Sequence, residues 1–277
     1  MKSKFMILLT LLAALLIPIM ALDAHAEETA IPVVYLDAAN GADTNDGLTE
    51  ATAVQTVEKA YEVLGDQIGD STQGKILLVN DYTFTFGSDI TNQKIAADAH
   101  TYEVIITGKT SDVCFYVAAS VAKQSWLGLQ GPTTFESITM KIADSSAYTN
   151  IVICGNGGLF KIGEGVQTGT SNLLRLMAGP AATHNGDMSL EVHSGSWQDL
   201  CAGAYAYTMT GNASFAMYGG SVVNLETTFN GKHNGDVSIA IYGGTVDNLY
   251  GGSRNKSGVI TGNITVCHYG GTVTKQN

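Results

Sequence analysis

In the segment VSIAIYGGTVDNL, apolar Val237, Ile239 and Ile241 alternate with Ser238, Ala240 and Tyr242. A period of two sends successive side chains to opposite sides of the backbone, so the pattern predicts a strand with one buried face. The paired glycines that follow predict a corner, because they tolerate backbone angles closed to other residues. A second short strand then begins, with Val246 and Leu249 as its core positions.

The same pattern recurs downstream of residue 186. GDMSLEVHSGSWQDL from Gly186, GNASFAMYGGSVVNL from Gly211, GDVSIAIYGGTVDNL from Gly235 and GNITVCHYGGTVTKQ from Gly262 align without gaps, with starts 25, 24 and 27 residues apart. One such unit is too small to bury its own apolar face, so the units must stack. A strand, corner, strand and return in each unit describes one coil of a parallel β-helix, rising ~4.8 Å per coil. Leucine-rich repeats need a denser leucine pattern, and calcium-binding β-rolls need glycine-rich nonapeptides; neither is present.

Less regular alternation in KILLVN, YEVIITG, GPTTFESITMKI, NIVICGNGGLFKIGEGV and SNLLRLMAG extends the coils back to about residue 75. Ahead of them, Val33 to Asp37 reads as a strand, followed by an Asx- and Gly-rich loop. An amphipathic helix is expected from about Ala53 to Leu64, with Val54, Val57, Ala60, Tyr61 and Leu64 on one face and a capping box at Thr52 and Gln55. Such a helix would cover the open end of a solenoid, whose unpaired strand edges otherwise invite aggregation.

The opening VYLDAANGADTNDGLTEATAVQTVEKAYEVL resembles that of exported bacterial right-handed parallel β-helix proteins of the pectate-lyase-like superfamily, and GPTTFESITM and ICGNGGLFKIGEGV look like rungs of the same group. The resemblance implies an all-β chain, a right-handed single-stranded parallel β-helix with an N-terminal strand-loop-helix cap. It does not imply one activity, since the superfamily holds lyases, hydrolases, epimerases, adhesins and surface proteins. The family's calcium-binding acidic cluster with a basic catalytic residue has no matching motif here.

Composition and charge narrow the setting. Lys2 and Lys4 precede an apolar run and an A-x-A site at Ala24 to Ala26, the pattern of a secretory signal over 1–26. The expected organisation is then a cap over 27–74 and coils over 75–277, with the natural chain continuing beyond Asn277. Removing the signal takes the net charge from −11 to −12. An acidic surface repels phosphate backbones, which argues against nucleic acid as a partner. Cys114, Cys154, Cys201 and Cys267 allow two disulfides in an exported chain, or serve as small buried residues in strands.

Candidate chemistry falls in four places. In the loop carrying Asp37, Asn40, Asp43, Asn45, Asp46 and Glu50, clustered oxygens suit calcium, while Asx side chains equally suit the loop's own backbone. The eighth repeat position gives a column of His193, Tyr218, Tyr242 and Tyr269 that alternation points outward, where aromatic rings can meet sugars or stack on one another. A second column, Asp199, Asn224 and Asn248, reads as a polar ladder bonded from coil to coil. For acid–base chemistry, Asp236 and Asp187 lie two coils apart, within the ~5 to 9.5 Å used by glycosidase carboxylate pairs, with Asn212 between them. Asp247 lacks an aligned carboxylate neighbour, and Arg254 and Lys256 in GGSRNKSG could supply a lyase base or substrate clamp, or form a solvated insertion. The two functional expectations are a surface β-helix that binds extracellular polysaccharide or glycan without an identifiable catalytic site, and a polysaccharide-degrading enzyme, a lyase before a glycoside hydrolase.

Overall fold

The computed structural model describes residues 30–87, 92–119, 124–143, 150–155, 158–169, 174–255 and 257–277. The signal expected over 1–26 and Lys256 lie outside the described residues. Residues from Ile31 to Asn277 form one all-β unit, a parallel β-helix.

Its first face is a sheet of nine parallel strands that begins at Val33–Leu36 and Gln73–Leu78 and ends at Ala213–Met217, Val237–Ile241 and Ile264–His268. A second face holds eight strands, from Asn92–Lys94 to Thr272–Gln276. Two four-stranded sheets complete the walls: one runs from Tyr82–Thr85 to Gln167–Thr168, the other from His184–Asn185 to Val259–Ile260.

The route around the coil changes part-way along. Early coils pass from the first face through the Tyr82–Thr85 sheet to the second face, whereas later coils turn directly from first to second and then add the His184–Asn185 sheet. Ser194 joins the two regimes. Its hydroxyl donates to the Gly163 carbonyl at 2.6 Å and accepts the Val166 amide at 3.0 Å, while the Ser196 amide donates to Thr168 Oγ1 at 2.8 Å.

The alternation read from the sequence sets which side chains face inward. In the last regular coils Met188, Ala213, Val237 and Ile264 share one register position, followed two residues on by Leu190, Phe215, Ile239 and Val266. The gapless alignment of the repeats is therefore the pairing register itself. A row of aromatic rings fills the earlier core: Phe115 and Phe135 lie 5.6 Å apart, and Phe135 and Phe160 6.4 Å apart, both edge to face. At the corner, Gly244 has φ of 81°, and a Cβ there would stand 2.6 Å from the Gly220 carbonyl oxygen of the previous coil. Stacked corners bring backbone against backbone, which leaves no room for a side chain.

The cap differs from expectation in where its helix starts. Thr49 and Thr52 form the capping box, around a short 3-10 turn at Glu50–Thr52, and helix α1 spans Val57–Gln67 with Thr56 as its N-cap. Two contacts hold the intervening residues extended. Val54 bridges Leu36 as a strand partner, and the Asp43 carboxylate accepts the Gln55 and Thr56 amides at 2.9 Å each. Val57, Ala60, Tyr61 and Leu64 are buried as expected, and Leu64 lies over Gly74 on the adjoining strand.

All four cysteines are free thiols, with Cys114, Cys154 and Cys201 buried and Cys267 half-buried. Of the two expectations, that of small residues in strands holds. Burial pushes the Cys154 and Cys201 thiols up, which keeps them unreactive.

Candidate functional site

The outward column forms as the register dictates. His193 and Tyr218 stack with centroids 4.5 Å apart and planes 19° apart; Tyr218 and Tyr242 are 5.0 Å and 7° apart, and Tyr242 and Tyr269 5.0 Å and 10°. Tyr218, Tyr242 and Tyr269 are 45%, 48% and 68% exposed. Tyr218 and Tyr242 turn their faces to neighbouring rings, so they offer edges and hydroxyls outward rather than open faces. His193 is more enclosed, with Nδ1 at 3.5 Å from Glu164 and Nε2 at 3.6 Å from Glu191.

Parallel rows lie beside the rings on the same face. Ala216, Ala240 and Cys267 are half-buried and small, and the next row outward is exposed Ser214, Ser238 and Thr265. The outcome is a shallow trough running along the solenoid axis, with tyrosine edges on one side, hydroxyls on the other and a floor of small residues. Its hydroxyl side opens into a cleft that Asp187, Asn212 and Asp236 border.

Those border residues are ladder residues. Asp187 Oδ1 accepts the Asn212 amide at 2.7 Å, Asn212 Oδ1 accepts the Asp236 amide at 3.1 Å, and Asp236 Oδ1 accepts the Asn263 amide at 2.7 Å. Each oxygen closes the turn of the next coil, so Asp187 and Asp236 serve the same backbone role as the asparagine between them. Asp247 is exposed on the second face, remote in register from this row.

The acidic loop uses its oxygens internally. Asp37 accepts the Ala39 and Asn40 amides at 3.0 Å and the Asn80 side chain at 3.1 Å. Asp43 accepts the amides noted above and the Thr56 hydroxyl, and Asp46 accepts the Leu48 amide. Burial works against the charge of Asp37 and Asp43, but these hydrogen bonds outweigh it and hold both below the usual carboxylate range. Glu50 pairs instead with Lys109 at 2.7 Å. Among the described residues no three His, Cys, Asp or Glu side chains converge as metal ligands. The loop's aspartates thus satisfy its own backbone amides, as Asx side chains do.

A charged cluster that the repeat pattern did not foreshadow lies on the outer side of the second face. Arg175, Asp199, Asn224 and Asn248 occupy one register column there. The expected ladder is present: Asn224 Nδ2 donates to Asp199 Oδ1 at 2.7 Å, and Asn248 Nδ2 donates to Asn224 Oδ1 at 3.2 Å. Its base is more than a turn ladder. Asp199 pairs with Arg175 at 2.8 Å and with Arg254 at 2.9 Å, and Arg254 also reaches Glu226 at 3.3 Å while its guanidinium lies 4.8 Å from the Phe229 ring centre. Arg254 is thus a half-buried ion-pair partner of the second face rather than a solvated side chain. Asp199 and Glu226 are fully buried, beside a small apolar cluster that includes Trp126, Cys201 and Tyr205.

Burial pushes the Glu226 carboxyl up to about 8; Arg254 opposes that shift, and the nearby Asp199 charge adds to it. Arg254 loses by burial as well, yet Asp199 and Glu226 hold it above its ordinary value. Asp199 and Glu226 are buried against the sheet, and their contacts with Arg254 tie its loop to that face.

No family model, curated protein or solved structure matches this chain. The parallel β-helix rests on the chain's own strand register.

Proposed function

We propose that the chain is an exported or cell-surface β-helix whose trough on the first face binds extracellular polysaccharide along the solenoid axis. The observation that carries this reading is the stacked column of His193 with exposed Tyr218, Tyr242 and Tyr269 beside the row of Ser214, Ser238 and Thr265. Tyrosine edges give apolar contact for sugar C–H groups, and the hydroxyls of both rows supply donors and acceptors for sugar oxygens. Coil spacing repeats these groups in one direction, which suits a ligand that is itself a linear repeat. The acidic border and overall charge favour an uncharged glycan over a uronate. Support for export comes from the leader over 1–26, and the likeness of the opening to pectate-lyase-like surface proteins agrees with it.

Binding is preferred to lyase or hydrolase chemistry because Asp236, Asp247 and Arg254 occupy three different environments and do not converge on one substrate position. The test is retention on immobilised neutral and acidic glycans, with Tyr242→Ala alongside the native chain. The proposal expects retention on a neutral glycan that the variant loses, and it fails if no glycan is retained or if the variant binds as well as the native chain.

A further inference from the structure

A cleft of about 990 Å3 lies at the cap end, between α1 and the segment 96–102. Its lining holds three neighbouring rings: Tyr61 and His100 have centroids 5.5 Å apart, and His100 and Tyr102 4.9 Å apart. Carboxylates rise from both walls, with Glu58 and Asp66 on α1 and Asp98 on the opposite segment. These three are exposed, and among the described residues none of them enters an ion pair. The lysine of the lining, Lys59, is held by Glu62 at 2.7 Å.

Two details make this more than an acidic patch. Tyr61 is only 6% exposed, yet its hydroxyl completes no hydrogen bond, although Thr133 lies nearby. His100 is fixed by its Nδ1 contact with the Tyr102 carbonyl at 2.7 Å, and burial lowers its pKa, so it adds no opposing positive charge. Aromatic rings attract cations through their quadrupole, and unpaired carboxylates add a longer-range pull. An anion would meet repulsion from both walls.

We propose that this cleft binds a small organic ammonium ion, seated against Tyr61, His100 and Tyr102 and neutralised by Glu58, Asp66 and Asp98. The site is independent of the tyrosine trough. Primary amines would use the carboxylates most, and quaternary ammonium ions the rings.

The experiment titrates the full chain with putrescine and with tetramethylammonium, against sodium chloride at equal ionic strength, by calorimetry and NMR. The expected result is saturable binding of at least one of them, with shifts confined to residues 56–66 and 96–102. Tyr102→Ala should weaken it about threefold or more, as loss of one cation–π contact would. The paired change Asp66→Asn with Asp98→Asn, at exposed positions where folding is not at stake, should weaken putrescine binding by a similar factor. Tyr242→Ala should leave it unchanged, so failure of the glycan reading is read separately. Shifts no different from those with sodium, or binding that survives both the tyrosine and the paired carboxylate changes, would mean only diffuse attraction to an acidic chain and would overturn the proposal. If Tyr102→Ala does not fold, the paired carboxylate variant decides.

Discussion

Tyr242 stacks on Tyr218 at 5.0 Å with their planes 7° apart, although 24 residues separate them in the chain. The contact exists because Ile241 pairs with Met217, so the next residue on each strand leaves the sheet at the same height. Tyr242→Ala removes a ring from the middle of the column and uncovers the facing surfaces of Tyr218 and Tyr269. At ~0.5 to 1.5 kcal/mol per aromatic pair, the loss of two pairs should cost about 1 to 3 kcal/mol in a urea melt. Tyr242→Phe keeps both contacts and should cost less than about 0.5 kcal/mol, while reporting whether the hydroxyl matters for glycan retention.

Arg254→Ala should be far more costly than its place in a loop suggests. It leaves one side of the buried Asp199 carboxylate without its partner and removes the charge that opposes protonation of Glu226; with Arg175 still in place, the cost should lie near the lower end of the about 3 to 5 kcal/mol for breaking a buried pair. Arg254→Lys should recover only part of this, because an ammonium cannot reach both carboxylates in the plane that the guanidinium spans. A Cm within error of wild type for Arg254→Ala would show that the cluster contributes nothing.

Glu226 makes stability depend on pH in an unusual direction. Its folded pKa of about 8 stands above its ordinary 4.5, so the folded chain holds a proton that the unfolded chain releases. The stabilisation is complete below the lower value and is lost as pH rises towards 8 and beyond. Urea melts from pH 5 to 9 should show the native chain losing stability relative to Glu226→Gln, which keeps the neutral shape throughout. Parallel curves would refute the assignment.

His233 acts at the opposite end of the scale. It is fully buried, and burial lowers its pKa below 6.5 although backbone contacts at Asp236 and Gly211 work the other way. The folded chain favours the neutral ring, so stability present above 6.5 should fall away as pH drops through the depressed value. His233→Leu should flatten that acid limb, measured as the change in Tm between pH 7 and pH 5.

The sequence alone determined the solenoid, its register and the outward aromatic column, since alternation along a strand decides which side of the backbone each residue takes. Val237, Ile239 and Ile241 face inward and Tyr242 outward on local grounds. The same logic identified Asp199, Asn224 and Asn248 as a ladder. What it could not decide was which outward residues would be covered, because that depends on loops from other coils. Arg254 returns to Asp199 across 55 residues, and nothing in GGSRNKSG marks that destination. The start of α1 was likewise hidden. Thr52 and Gln55 satisfy the local capping pattern, but Leu36 draws Val54 into a strand bridge and Asp43 caps the amides that follow. Local periodicity fixes faces and registers; only packing between distant segments decides whether a polar side chain meets water, a backbone amide or a buried opposite charge.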